Sequence, residues 1–261
     1  VVRLAASIGA LALAITDHDT VDGLGEAKRA AERCGIELIN GIEISASYSP
    51  GTMHILGYFI DDGSRALRSE LERLRRSRER RNPEIAERLR ELGFDISYEE
   101  VVKLAGNQVV GRPHFAKLMV QKGYASSIKE AFERFLKKGA AAYVEKERLL
   151  PAQAIELIHG AGGVAVLAHP HQLGLSFEEA ERLIAELARA GLDGVEALYS
   201  RHSPRERSVY AEMASRLGLL VTGGSDYHGS YKPDIDIVTG LGDLAVPYEL
   251  LDRLKRRAAR R

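Results

Sequence analysis

The sequence predicts an α/β fold, a barrel or an open parallel sheet, interrupted by a block of helices. Three observations carry this. Short apolar runs alternate with runs of helical period over residues 1–60 and again over 150–261, the rhythm of βα units. Residues 61–149 lose the strand signal and become charged and helical in period. Imidazoles and carboxylates recur at the apolar runs, mostly where they end, and strand C-termini are where both architectures collect ligands.

The elements follow in order. "VVRLAASIG" reads as the end of a helix closed by Gly9, and "ALALAIT" as a short strand. "GLGEAKRAAERCG" is a helix ending at Gly35, followed by strands "IELINGIEIS" and "TMHILGYFI". In "SRALRSELERLRRSRERRNPEIAERLRELG", Leu67, Leu71 and Leu74 share one helical face. Pro83 is expected to kink that helix or to start a new one. Helices are predicted around "SYEEVVKLAG", "RPHFAKLMVQKG" and "SIKEAFERFLKKG". Residues 61–149 therefore read as a helical insertion between 1–60 and 150–261. "PAQAIELIHGAGG" is a helix with Pro151 near its start, and "VAVLAHP" is a strand. Helix "SFEEAERLIAELARAG", strand "LDGVEALYS", helix "SPRERSVYAEMASRLG" and strand "LLVTGGSDYHG" complete the pattern.

Composition sets limits. The chain has 261 residues and 45% hydrophobic content, enough for a large core. Its 37 basic and 37 acidic residues give no global pull toward a polyanion. No run resembles a membrane span or a signal peptide. Cys34 stands alone, so no internal disulfide can form and a reducing cytoplasm is expected. Tryptophan is absent, which excludes a tryptophan platform for sugars. The arginines of residues 73–81 are diluted by Glu72 and Glu79 and read as a solvated face.

The strand regions carry the chemistry. "AITDHD" brings His18, "GIEIS" Glu43, "TMHILGY" His54, "VLAHPH" His169, and "GGSDYHG" Asp226 and His228. One such histidine is ordinarily a packing or hydrogen-bonding residue; repetition at five strand regions singles these out. Neutral imidazole with carboxylate suits manganese, iron or zinc, and the lack of cysteine argues against a thiolate zinc site. Glu43 can bridge two ions. His159 lies within a helix and reads as structural, while His171 fits either a supporting group or a loop residue. Asp17 and Asp19 can hold the His18 ring or cap a turn.

Taken in order, "LAITDHDTVDGL", "GIEIS", "HILGYFID", "GRPHFA", "AHP" and "GSDYH" resemble the PHP (polymerase and histidinol phosphatase) family of phosphoesterases. The likeness is strongest to members acting on nucleotides and 5′-phosphorylated fragments. It implies a distorted seven-stranded (β/α)7 PHP barrel with an inserted helical domain and two or three divalent metal ions (Mn, Fe or Zn). By resemblance, His18 and His228 belong to one metal, and Glu43, His54 and His169 to a second. Glu43 bridges to a third, which Asp226 also ligates. The family also begins with a strand ending in His-x-His and a nearby Asp. "VVRLAASIG" contains none of these, so that strand is expected upstream of Val1.

The resemblance implies that a metal-bound hydroxide attacks phosphorus, with no side chain as covalent nucleophile. The sequence offers neither a nucleophile elbow at Ser225 nor a P-loop. Arg112 and His114 in the insertion, with Arg201 and His202 after a strand, are the substrate-binding candidates for phosphate or sugar. The expected partner is a nucleotide or short single-stranded oligonucleotide with a terminal phosphate, with no membrane and no protein partner. A metal-dependent amidohydrolase is the alternative enzyme, though no lysine stands at a strand end for carboxylation. A degenerate binding domain is the non-enzymatic alternative, should the His-x-His strand be lacking.

Overall fold

A computed structural model describes residues 1–49, 51–106 and 109–261. It divides into two compact units, residues 1–69 with 148–261, and residues 70–147. The first begins with α1 (Val2–Ser7), β1 (Ala12–Ile15), α2 (Leu24–Cys34), β2 (Glu37–Ala46) and β3 (Met53–Tyr58). Gly35 ends α2 at φ 67, a left-handed closure that favours glycine. A long helix, α3 (Arg65–Glu91), leads into α4 (Tyr98–Ala105), α5 (Arg112–Gln121) and α6 (Ile128–Ala131). The chain returns through α7 (Pro151–Gly160), β4 (Val164–Leu167), α8 (Phe177–Arg189) and β5 (Gly194–Tyr199). It ends with α9 (Pro204–Arg216), β6 (Leu220–Gly224) and α10 (Tyr248–Ala258).

Among the described residues, six strands in chain order form one mixed sheet that curls into a half-barrel. β1–β2, β4–β5 and β5–β6 are parallel. β3 runs against both neighbours, unlike the wholly parallel sheet expected from the βα rhythm. The link from Ala46 to Met53 explains this, because a parallel return needs about a dozen residues or more. The consequence reaches the site. The start of β3, where His54 sits, lies at the edge where the parallel strands end.

Ile39, Leu56, Tyr58, Val164 and Val166 pack together with Leu254 of α10. Burying one leucine side chain is worth roughly 2 kcal/mol. Partly buried Ala12 and Leu220 join this cluster, and Lys255 pairs with Glu37. α10 therefore lies across the N-terminal ends of β1, β2, β4 and β6. It had no counterpart in the sequence reading.

The second unit has its own core, including Ile85, Leu89, Phe115, Met119 and Leu136. Of the two outcomes expected at Pro83, a new helix does not start there: α3 continues through it. Proline removes the hydrogen bond to the Glu79 carbonyl, and the exposed position of Glu79 lets water replace it. Arg75 pairs with Glu72 and Glu79, and Arg76 with Glu72, so these basic residues are largely neutralised locally. "SIKEAFERFLKKG" divides into α6 and a π-helical turn over Phe132–Leu136. Among the described residues, no helix is long and apolar enough to cross a membrane.

Candidate metal centre

The β1–β2 ladder places the first pair. Beyond Ile15 the chains stay bonded: Glu43 N donates to Asp17 O at 3.1 Å and Asp19 N to Glu43 O at 2.9 Å. His18 therefore stands opposite Glu43. Asp19 turns the chain away at φ 52, and its carboxylate accepts from Ser45 N at 2.8 Å and Ser45 Oγ at 3.0 Å. Of the two roles read for this aspartate, these bonds favour fixing the turn.

Glu43 and His54 lie on one face of the β2–β3 hairpin. Ser45 pairs with His54 and Glu43 with Leu56, so Glu43 and His54 are diagonal neighbours. β4 then delivers His169. Ala168 N donates to His54 O at 3.0 Å, and His169 N donates to Glu196 Oε2 at 2.9 Å. After β6, Asp226 accepts from the Tyr199 hydroxyl at 2.9 Å and pairs with Lys232. His228 Nδ1 lies 3.2 Å from Asp226 Oδ1. Asp19, His169 and Asp226 all have positive φ, at 52°, 24° and 54°. Such conformations cost ~1–3 kcal/mol each and collect at functional sites.

Glu43 is the hub. Its Oε1 lies 2.7 Å from His54 Nδ1 and 3.0 Å from His169 Nε2, and its Oε2 lies 3.5 Å from His18 Nδ1. His54 Nδ1 is 3.3 Å from His169 Nε2, and the His18 and His228 ring centroids are 5.8 Å apart. Ligand atoms of His18, Glu43 and His54 all lie within 4.8 Å of one another. His18 Nδ1 and His169 Nδ1 are buried without a hydrogen-bond partner among the described residues. A buried ring nitrogen left without a partner is costly, and imidazole beside carboxylate is a donor set for a divalent ion. The residues present therefore fit a metal.

The electrostatics agree. Burial opposes ionisation of Glu43, but the charges of His18 and His54 and the His169 hydrogen bond hold its pKa well below the usual carboxylate range. Burial also disfavours protonated His169, yet the Glu43 hydrogen bond and charge outweigh it and raise its pKa. Burial lowers the pKa of His18, with His54 and His228 adding to the effect. A raised histidine pKa stabilises the ion-free fold below the ordinary histidine range, and this contribution is lost as pH rises through the raised value. A metal must displace that proton. Manganese affinity should therefore rise between about pH 6 and 8, with proton release seen by titration calorimetry in buffers of different ionisation enthalpy. Constant affinity across that range would refute the coupling.

Glu196 was missed in the sequence, hidden within the apolar strand "GVEALY". It is 4% exposed, and burial pushes its pKa up to about 7. A Cβ on Gly224 would lie 2.9 Å from Glu196 Oε1, so glycine makes room for the carboxylate. By holding the His169 amide, Glu196 fixes the backbone that presents this imidazole. Glu196→Ala should weaken metal binding about 10–100-fold, the usual effect of losing a supporting group. Glu196→Gln, which keeps an acceptor, should recover most of it. Chelator competition is the readout, and equal losses in both variants would show that the acceptor is irrelevant.

The substrate-binding candidates are placed as follows. Arg201 Nη2 pairs with Asp234 at 2.7 Å. His202 is buried; its Nδ1 donates to Ala197 O at 2.9 Å, and its Nε2 has no hydrogen-bond partner among the described residues. His171 stacks on Tyr199 and meets the His202 ring edge-on, and burial together with His202 pushes its pKa down to about 4. His159 bonds Asp193 at 2.9 Å, before β5 and at the opposite strand ends from His169. In the second unit, Arg112 donates to Leu136 O at 2.9 Å and lies over Phe132 and Tyr143. His114 Nδ1 accepts from Gly111 N at 3.1 Å, and burial lowers its pKa.

No protein-family model matches the chain. Individual proteins do. It is 36% identical over 220 residues to a 5′-3′ exoribonuclease of Haemophilus influenzae, covering 84% of this chain and 80% of the relative. It is 35% identical over 236 residues to a 3′,5′-nucleoside bisphosphate phosphatase of Chromobacterium violaceum, covering 90% and 82%. A structure described as a metal-dependent phosphoesterase of Bifidobacterium adolescentis matches with TM-score 0.85 at 31% identity, covering 98% of this chain and 89% of that one. A structure of a Chromobacterium violaceum amidohydrolase, with bound sulfate and no metal, matches with TM-score 0.83 at 34% identity, covering 87% and 81%. This likeness extends over most of each chain, and the chain belongs to the PHP family of metal-dependent phosphoesterases.

Proposed function

We propose that the protein hydrolyses phosphate esters of nucleotides or short 5′-phosphorylated oligonucleotides, using two or three divalent ions (Mn, Fe or Zn). The ligands in this reading are His18, Glu43, His54, His169, Asp226 and His228. The observation that carries it is Glu43, whose buried carboxylate is met by three imidazoles at 2.7–3.5 Å. When bound, such ions lower the pKa of water and neutralise charge on phosphate oxygens. The chain's own groups prepare the place: Glu43 is held ionised, Tyr199 orients Asp226, and Lys232 adds a cation beside it. Arg112, His114, Arg201 and His202 take the substrate-binding roles, the first three as donors to phosphate or sugar oxygens and His202 through Nε2 as an acceptor from a sugar hydroxyl. The same reading makes the fold a distorted seven-stranded barrel in which residues 61–149 are inserted, and places the enzyme in the cytoplasm. Names of the bacterial relatives support the nucleotide substrate. Amide hydrolysis is disfavoured, because none of the six described strands carries a lysine for carboxylation.

The test supplies manganese and compares adenosine 5′-monophosphate, adenosine 3′,5′-bisphosphate and a short 5′-phosphorylated RNA. Free phosphate identifies a phosphatase and released mononucleotides an exonuclease. Inactivity on all three with metal bound would reject the reading.

A further inference from the structure

The opposite end of the sheet carries a second charged feature. Residues 249–261 hold six cations against Glu249 and Asp252, in a chain whose net charge is zero. Arg253, Arg256 and Arg257 fall at i, i+3 and i+4 on α10, and Arg260 and Arg261 follow in the turn that closes it. They line two open clefts. One of about 460 Å³ is bounded by Arg257, Arg260 and Arg261. The other, of about 160 Å³, is bounded by Arg253, Arg256, Arg257, Arg260 and Leu220.

The base of this surface is built. Asp193 is 1% exposed and sits just before β5. Its Oδ2 accepts from Ala165 N and His159 Nε2, both at 2.9 Å. Its Oδ1 accepts from Arg257 Nη1 at 3.2 Å and Arg261 Nη2 at 2.6 Å. One buried carboxylate thus fixes two guanidinium groups and leaves a net positive charge. Arg253, Arg256 and Arg260 make no side-chain hydrogen bond or ion pair among the described residues. Crowding like charges costs energy unless an anion shares the site.

We propose that this arginine stripe binds the phosphodiester backbone of single-stranded RNA. It would hold the body of a strand whose 5′ end reaches the histidine cluster. The helix from Arg253 to its end and the turn after it span about 12 Å, room for two or three successive phosphates. The guanidinium fork matches a phosphate bidentately. Among the described residues, Leu220 is the one apolar residue lining the clefts, which gives a lipid surface little to bury. The six residues of β5 separate the two ends by about 20 Å, so a mononucleotide cannot occupy both. The substrate class rests on the proposed function; binding to the stripe is measured without it.

The experiment uses the full chain in EDTA with a 5′-phosphorylated, 3′-fluorescein 16-mer RNA, read by anisotropy from 50 to 200 mM KCl. The triple variant Arg253→Glu/Arg256→Glu/Arg260→Glu should bind at least tenfold more weakly. Its log–log salt slope should be shallower by about 2, three contacts at ~0.7 each. A control with the same charge change, Arg3→Glu/Arg29→Glu/Arg33→Glu, should stay within twofold of the parent. Hydrolysis of adenosine 3′,5′-bisphosphate with manganese should match the parent in both. If thermal melting shows the charge reversals to be unfolded, the corresponding glutamine triple replaces them. No RNA binding by the parent, equal loss in the control, or equal competition by poly-glutamate would each overturn the proposal. If no phosphoester is hydrolysed but RNA binding falls only in the stripe variant, the hydrolytic reading fails and the stripe stands.

Discussion

Glu43→Gln is expected to lose metal and activity together while keeping its fold. One carboxylate faces His18, His54 and His169, so the change removes the charge on which all three converge. Bound ions contribute several kcal/mol to stabilising developing charge, and each ~1.4 kcal/mol is tenfold in rate. Hydrolysis of adenosine 3′,5′-bisphosphate should fall at least about a thousandfold. Glutamine has nearly the same shape, and circular dichroism should show an unchanged helix content. The raised pKa of His169 should fall, because its charged partner is gone. Histidine NMR titration without metal would read this directly. Retained metal binding with full activity would show that Glu43 is not the hub of the site.

Asp193→Ala should do the reverse: destabilise the fold and leave the metal site loaded. The substitution strands the Ala165 amide, which is fully buried, and removes the partner of His159, Arg257 and Arg261. Loss of a buried charge with several donors costs about 3 kcal/mol, tempered here by the partial exposure of both arginines. A protein of this size loses roughly 2–4 °C in Tm per kcal/mol. Thermal melts should therefore drop by about 6–12 °C, while chelator competition shows parent-like manganese affinity. The milder change Asp193→Asn keeps an acceptor for the Ala165 amide and should recover part of the loss. An unchanged Tm would mean that the four donors are satisfied without Asp193.

The residues that were legible in the sequence share a property: they follow apolar runs. His18, His169 and Asp226 stand just after β1, β4 and β6, where polar side chains contrast with what precedes them. His54 was found by resemblance and its apolar surroundings, although it occupies the start of its strand. The short, turn-forming stretch "SYSPGT" before Met53 was the signal that β3 reverses, and it was overlooked in favour of the βα rhythm. Glu196 stayed hidden because its role depends on a backbone amide 27 positions away. Its signal was a lone charge within an otherwise apolar strand, which is rarely buried without a partner. α10 was legible in principle, since Leu250, Leu251 and Leu254 recur at helical spacing before the basic run. Asp193 could not be read at all, because its four donors come from β4, α7 and the chain's last residues.

The cluster joins parts of the chain that are made at different times. His18, Glu43 and His54 belong to the first three strands, whereas His169 meets His54 and Glu43 from 115 and 126 residues further on. At ~5–20 residues per second of synthesis, the first group leaves the ribosome roughly 6 to 25 s before His169. Throughout that interval β3 lacks β4, and one of its edges is open to pairing with the wrong strand. The three side chains already present offer a cation a foothold at the mouth of the same hairpin. An ion taken up then would tie β1, β2 and β3 together before the fourth strand exists.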